Sequence, residues 1–180
     1  MQPRTQEVLD YLDEQRSALE DAVATVPAAL RDRRHAADRW SVAEIVEHLG
    51  IVEGGITRLL SARLDAARGA GLGAERATGP VVPTVPTDRL LDRGTRVTAG
   101  PPSLPTGGVA AAAAWELLVE RREALRSLLL AADGLALSEV VIQHPLLGPL
   151  DVYQWLVFVG AHEGRHAGQV REVAAVARPD

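Results

Sequence analysis

The sequence predicts an all-α domain made of four long helices. Apolar residues recur at helical spacing in four segments, and the alternating pattern of a half-buried strand is almost absent. Hydrophobic residues make up 47% of the chain. Only three Trp, two Tyr and one Phe are among them, so the core must consist mainly of Leu, Val and Ala. Ala and Leu are strong helix formers, so this core composition favours helices over sheets. A length of 180 residues fits a single domain over residues 1–180.

The first two helices are expected at about residues 5–25 and 42–68. Pro27 closes the apolar repeat of the first helix, since proline does not continue a helix. Ser41 and Glu44 open the second helix with a capping-box pattern, in which each side chain binds a backbone amide that the first turn leaves free. These signals predict two long amphipathic helices in the first part of the chain.

A connection of different composition follows at residues 69–108. It is rich in Gly, Pro and Thr and includes the stretches "TGPVVPTVPTD" and "AGPPSLPTGG". We therefore expect it to be mostly irregular. A connection of this length is unusual within a compact domain and is typically either functional or mobile. It is long enough to cover a site.

The last two helices are expected at about residues 109–132 and 151–177. The stretch "AAAAWELLVERREALRSLLLAA" forms the third, and Gly134 lies just beyond its end. A short extended stretch with turns precedes the fourth helix, which Asp151 opens with a second capping-box pattern and Pro179 stops. We find neither an internal repeat nor a second domain.

The composition excludes several classes of function. Because the chain has no cysteine, it forms no disulfide, thiolate metal site or iron–sulfur cluster and has no cysteine nucleophile. A net charge of −5 without a basic block argues against binding to DNA or RNA. There is no signal-peptide pattern and no run approaching the roughly 20 apolar residues that span a bilayer. We therefore expect a cytoplasmic protein with neither a nucleic acid nor a membrane as partner.

Three histidines lie on predicted inward faces. His162 and His166 belong to "HEGRH", which matches the metal-binding pattern H-E-x-x-H. Positions four apart on a helix differ in direction by only about 40°, so both imidazoles point the same way, on the face that Val159 and Val170 share. In the second helix, His48 lies on the apolar stripe as well. Three inward histidines from facing helices predict a divalent-metal site with open coordination positions, which suits catalysis.

The H-E-x-x-H pattern is also the signature of zinc proteases. The position of the third metal ligand that such proteases need excludes this interpretation here. A third ligand supplied by a glutamate about 20 or more residues downstream has no place, because only 14 residues follow His166. The extended protease pattern requires a glycine and a histidine at positions 169 and 172, where this chain has Gln169 and Glu172. We therefore exclude the protease interpretation.

Glu163, between the two histidines, has two candidate roles. It lies next to a ligand and could act as a catalytic base on metal-bound water. A glutamate in this position more often pairs with a nearby arginine. The candidates here are Arg165, Arg121 and Arg122. We favour the ion pair and keep the catalytic role as the alternative.

Four further residues are candidates for the surroundings of the metal. Glu44 lies one turn before His48 and could orient its imidazole, although the capping box already accounts for it. Gln169 is expected to line the pocket, and Trp155 to form core or pocket wall. Arg122 could hold a substrate carboxylate, but we favour a side chain that extends along the apolar surface to solvent.

Two longer segments resemble a known family. The first, "WSVAEIVEHLGIVE", contains W-S-x-x-E-x-x-x-H-L at residues 40–49, and the second, "HPLLGPLDVYQWLVFVGAHEGRHAGQV", contains H-E-x-R-H-x-x-Q at residues 162–169. Together they resemble the DinB/YfiT-like family, and the resemblance covers essentially the whole chain. It implies an antiparallel four-helix bundle with a long crossover between the second and third helices.

The resemblance also implies a metal site and a chemistry. It assigns the metal to His48, His162 and His166, with zinc or nickel expected and iron or manganese as alternatives. Members of the family include bacillithiol transferases, mycothiol-dependent isomerases and proteins described as metal-dependent hydrolases, and dimers are common. We therefore expect a homodimeric metal-dependent enzyme that activates a low-molecular-weight thiol for transfer to a small-molecule substrate. Two alternatives stay open: a hydrolase that uses metal-bound water, and a non-catalytic bundle that binds a metal or small ligand.

Overall fold

The computed structural model describes residues 1–95 and 97–176, and most of these residues are helical. The elements in chain order are α1 (Pro3–Ala24), α2 (Val42–Gly69), α3 (Thr87–Leu91), α4 (Ala111–Ala131), β1 (Val141–His144), β2 (Gly148–Asp151) and α5 (Val152–Val176). The four long helices α1, α2, α4 and α5 form a bundle. The prediction of an all-α bundle with a long crossover between its second and third long helices is thus confirmed.

The four long helices pack as two pairs. α1 lies along α5, and α2 lies along α4. Thr5 meets Tyr153 and Arg16 meets Glu163, so α1 and α5 run in the same direction. The crossover brings the chain back to the starting end of α2 before α4 begins, so α2 and α4 are also parallel. The Gln2 amide just before α1 donates to Asp133 just after α4, so the two pairs run antiparallel to each other.

Side-chain caps start two of the long helices where the sequence predicts them. The Ser41 hydroxyl accepts a hydrogen bond from the Glu44 amide at 3.2 Å, and the Glu44 carboxylate accepts one from the Ser41 amide at 2.9 Å. Asp151 and Gln154 exchange the same pair of bonds, at 2.8 and 3.0 Å. Because caps satisfy amides that no helical carbonyl reaches, they set where α2 and α5 begin.

The crossover is less irregular than predicted. It contains α3, of five residues, and short 3-10 turns at Val82–Thr84 and Pro101–Ser103. A segment of this length spans less than two turns, which is too short for a helical repeat to be visible in the sequence. Isolated helices this short are unstable in water, so α3 depends on its packing against α5.

A short hairpin joins α4 to α5. β1 and β2 pair in antiparallel register from Val141 opposite Asp151 to His144 opposite Gly148. Gly148 has φ of +80°, a conformation that disfavours any residue with a Cβ atom. The extended stretch and turns predicted before the fourth long helix are thus a two-stranded hairpin, and it holds His144 at the bundle end near Trp155.

Within the described ranges, none of the helices is both long and apolar enough to cross a membrane. The predicted end of α5 near Ala177 and the stop at Pro179 lie outside the described residues.

The bundle interior consists of two apolar clusters separated by a buried polar layer. One cluster surrounds Leu12, Leu60 and Leu125, and the other surrounds Leu19 and Leu118. Along each long helix, a charged residue lies between the members of the two clusters. These four residues, one from each long helix, are Arg16, Glu53, Arg122 and Glu163. We refer to them below as the ion quartet.

Candidate metal centre

Three histidine side chains converge where α2 faces α5. The Nε2 atom of His162 lies 3.3 Å from Nε2 of His48 and 3.2 Å from Nε2 of His166. Each residue offers one ligand atom, and these atoms all lie within 4.8 Å of one another. Two nitrogens bound at the usual zinc–nitrogen distance in a tetrahedral site are about 3.4 Å apart. The observed spacing therefore fits one shared metal ion.

Hydrogen bonds at the opposite ring nitrogens orient two of the imidazoles. Nδ1 of His48 donates to the backbone carbonyl of Ser103 at 2.6 Å, and Nδ1 of His166 donates to the amide oxygen of Gln169 at 2.7 Å. With the proton on Nδ1, the Nε2 lone pair of each ring faces the centre. Bonds of this kind commonly fix the tautomer and direction of metal-binding histidines.

The protonation of the triad also suits a cation. Burial lowers the pKa of His48, and burial together with the neighbouring histidines lowers the pKa of His166 and brings that of His162 to about 3. Neutral His162 has at most one Nε2 proton, so it can donate to only one of its two neighbours. The remaining lone pairs face each other unless a metal ion binds between them.

Aromatic rings enclose the triad. The ring of Trp40 lies 4.9 Å from that of His48 and 6.4 Å from that of His166, between ring centroids. On the other side, Phe158 stacks on His162 at 5.7 Å. Trp40 therefore forms part of the wall, and so does Phe158, which was not predicted from the sequence. Its position one turn before His162 on the same helix was the available signal.

Trp155 lies one layer further from the histidine triad. Its ring packs against His144 at 4.7 Å and Phe158 at 6.0 Å, and its indole N–H donates to the carbonyl of Ile142 at 3.2 Å. His144 in turn accepts hydrogen bonds at Nδ1 from the amides of residues 146 and 147. Trp155 thus supports the wall formed by Phe158 and ties it to the hairpin.

Glu163 forms ion pairs with both arginines of the ion quartet. Its two carboxylate oxygens accept hydrogen bonds from Arg16 and Arg122, and the residue is almost completely buried. This is the arginine pairing favoured from the sequence, although Arg16 was not among the expected partners. With both oxygens held by guanidinium groups, the geometry favours a structural role over that of a base.

Arg122 does not extend to solvent, and that prediction is wrong. Its side chain is 4% exposed. Its Nε atom donates to Glu53 at 2.6 Å, and another guanidinium nitrogen donates to the carbonyl of Leu12 at 3.0 Å. Carboxylates from α2 and α5 compensate the buried charge, which removes the reason for the side chain to reach water. These contacts also occupy the guanidinium, so its geometry does not favour the alternative role, a bond to a substrate carboxylate.

Glu44 and Gln169 have clear positions beside the site. The Glu44 carboxylate binds the Ser41 amide and the Arg34 guanidinium, which lowers the pKa of Glu44. These hydrogen bonds stabilise the start of α2 and do not orient the ring of His48. Gln169, expected to line the pocket, contacts the triad directly through its hydrogen bond to His166.

The site chemistry follows from the donor set. Three neutral imidazoles leave the charge of a divalent ion uncompensated, and a tetrahedral ion with three protein ligands keeps a position open. His162 is partly exposed, whereas His48 and His166 are buried. The solvent-accessible part of the triad is therefore at His162.

The chain is similar in sequence to a known protein family. A family model described as the DinB superfamily matches residues 11–170, a range that includes all three histidines. No curated protein and no solved structure matches the chain significantly.

Proposed function

This chain belongs to the DinB superfamily, and on that basis we propose that it is a metal-dependent enzyme that activates a low-molecular-weight thiol for transfer to an electrophilic small molecule. The observation that carries the proposal is the convergence of three Nε2 atoms in a partly exposed, aromatic-walled site. We propose zinc or nickel as the ion, because imidazole suits these metals better than it suits magnesium or calcium.

The metal ion would lower the pKa of a thiol that it coordinates, so that the thiolate form is available near neutral pH. The chain has no cysteine. The sulfur nucleophile must therefore come from a cosubstrate. Trp40 and Phe158 would exclude water from the sulfur and provide apolar contact for the electrophile.

The environment of Glu163 supports thiol transfer over hydrolysis. Hydrolytic metal sites commonly add a carboxylate base that takes a proton from water, and in H-E-x-x-H enzymes the glutamate has this task. In this chain, by contrast, the carboxylate of Glu163 accepts hydrogen bonds from the guanidinium groups of Arg16 and Arg122. Activation of a thiol makes less demand on a base, since an unperturbed thiol already has a pKa of about 8.5.

The test compares thiols as cosubstrates of the zinc-loaded and nickel-loaded protein. Glutathione, bacillithiol and mycothiol are each supplied with an aryl chloride whose absorbance changes when sulfur replaces chloride. We expect metal-dependent product formation with at least one thiol, abolished by a chelator. The reference protein carries His48→Ala and His162→Ala together. Ester hydrolysis without any thiol would instead identify a hydrolase, and inactivity in both assays would favour a non-catalytic metal-binding bundle.

A further inference from the structure

Part of the crossover docks beside the histidine triad. Residues 87–95 and 97–107, which we call the strap, contact both helices that bear the histidines. One contact is direct, because the carbonyl of Ser103 accepts the Nδ1 proton of His48 at 2.6 Å. The orientation of this imidazole therefore depends on where the strap lies.

A buried carboxylate fixes the strap next to His48. Glu47 is 3% exposed. It accepts hydrogen bonds from the Thr106 amide at 3.0 Å, the Thr106 hydroxyl at 2.7 Å and the Gly107 amide at 3.4 Å. Gly107 has φ of +77°, which lets consecutive amides turn toward the same carboxylate. Glu47 thus holds the strap three residues after Ser103.

A second anchor lies next to His166. The Arg165 guanidinium donates to the carbonyls of Leu90, Asp92 and Thr95 in the first part of the strap. Two turns further along α5, the Glu172 carboxylate accepts two hydrogen bonds of 3.0 Å from the Arg93 guanidinium. The residues immediately before two of the three histidines therefore both bind the strap.

We infer that the strap and the metal ion bind cooperatively, and that Glu47 is a positioning residue which acts on His48 through the strap. The docked strap supplies the Ser103 carbonyl that directs the Nε2 lone pair of His48 to the ion. Because coupling between two binding equilibria is reciprocal, the bound ion also favours the docked strap. This inference rests on the metal site of the proposed function and not on its reaction.

The first experiment measures Zn²⁺ affinity by competition with a chromophoric chelator. Glu47→Gln replaces one accepting oxygen with an amide that faces donors of the strap. We expect Zn²⁺ to bind this variant about 10–100-fold more weakly, as for the loss of other groups that orient metal ligands. The matched control is Glu7→Gln, because Glu7 accepts bonds from the Val81 and Val82 amides at 2.7 and 3.0 Å, in the same crossover but outside the strap. This control should bind Zn²⁺ as the wild type does.

The second experiment needs no variant and so stands even if Glu47→Gln does not fold. Amide hydrogen exchange of the wild-type protein is followed with and without Zn²⁺. We expect Zn²⁺ to slow exchange at Thr106 and Gly107 and to leave Val81 and Val82 unchanged. Unchanged exchange in the strap, or equal Zn²⁺ affinity of Glu47→Gln and wild type, would overturn the inference. A wild-type protein that binds no Zn²⁺ would overturn both the inference and the metal site, whereas cooperative binding without thiol transfer would overturn only the proposed reaction.

Discussion

Replacing His48 and His162 together by alanine is expected to abolish specific metal binding. Each contributes an Nε2 atom to the cluster, so the variant keeps only His166. Loss of a group that merely orients a ligand weakens metal binding about 10–100-fold, and loss of two ligands must exceed that. Metal analysis of purified protein and Zn²⁺ titration measure the effect.

The matched control for this variant is His35→Ala. His35 is exposed, lies outside the triad and would contribute only nonspecific metal binding. It should retain the wild-type metal content and affinity. Equal metal content in the double variant and the wild type would refute the ligand assignment, provided that circular dichroism shows both to be folded.

Arg122→Met is expected to cost roughly 3–5 kcal/mol of unfolding free energy, the range for breaking a buried ion pair from one side. Arg122 and Glu53 are each 4% exposed, and Glu163 is 2% exposed. Removal of the guanidinium leaves two buried carboxylates with one remaining counter-charge, Arg16. It also removes the hydrogen bond that the guanidinium donates to the Leu12 carbonyl. Urea unfolding at pH 7 measures the change.

Arg126→Met provides the control on the same helix. Arg126 also pairs with a carboxylate of α1, Asp13, but the two side chains are 27% and 60% exposed. Exposed pairs contribute at most about 1 kcal/mol, so this variant should be close to wild type. If the two methionine variants lost similar stability, the buried ion pairs of the ion quartet would not stabilise the bundle more than an exposed pair does.

The histidine triad was predictable because its signals lie within single helices. His162 and His166 are four residues apart, and His48 follows the apolar repeat of α2, so periodicity alone places all three on inward faces. Facing helices then bring them together. The bundle itself was predictable for the same reason, because its four long helices each carry a full apolar stripe.

The features that sequence reasoning missed depend on contacts between distant segments. The burial of Arg122 depends on carboxylate partners that lie on α2 and α5, and no local pattern of α4 indicates them. The bond from His48 to Ser103 uses a backbone carbonyl, which every residue has. No sequence pattern distinguishes Glu47 from other charged residues, and its role becomes visible only through its hydrogen bonds to the strap.

X-ray absorption spectroscopy of the zinc-loaded protein shows whether His48, His162 and His166 bind one divalent metal ion. We expect about one zinc per chain, with three imidazole nitrogens at about 2.0–2.1 Å and a light atom or cosubstrate sulfur as the remaining ligand. A shell with fewer than three imidazole nitrogens, or zinc in amounts well below one per chain, would contradict it.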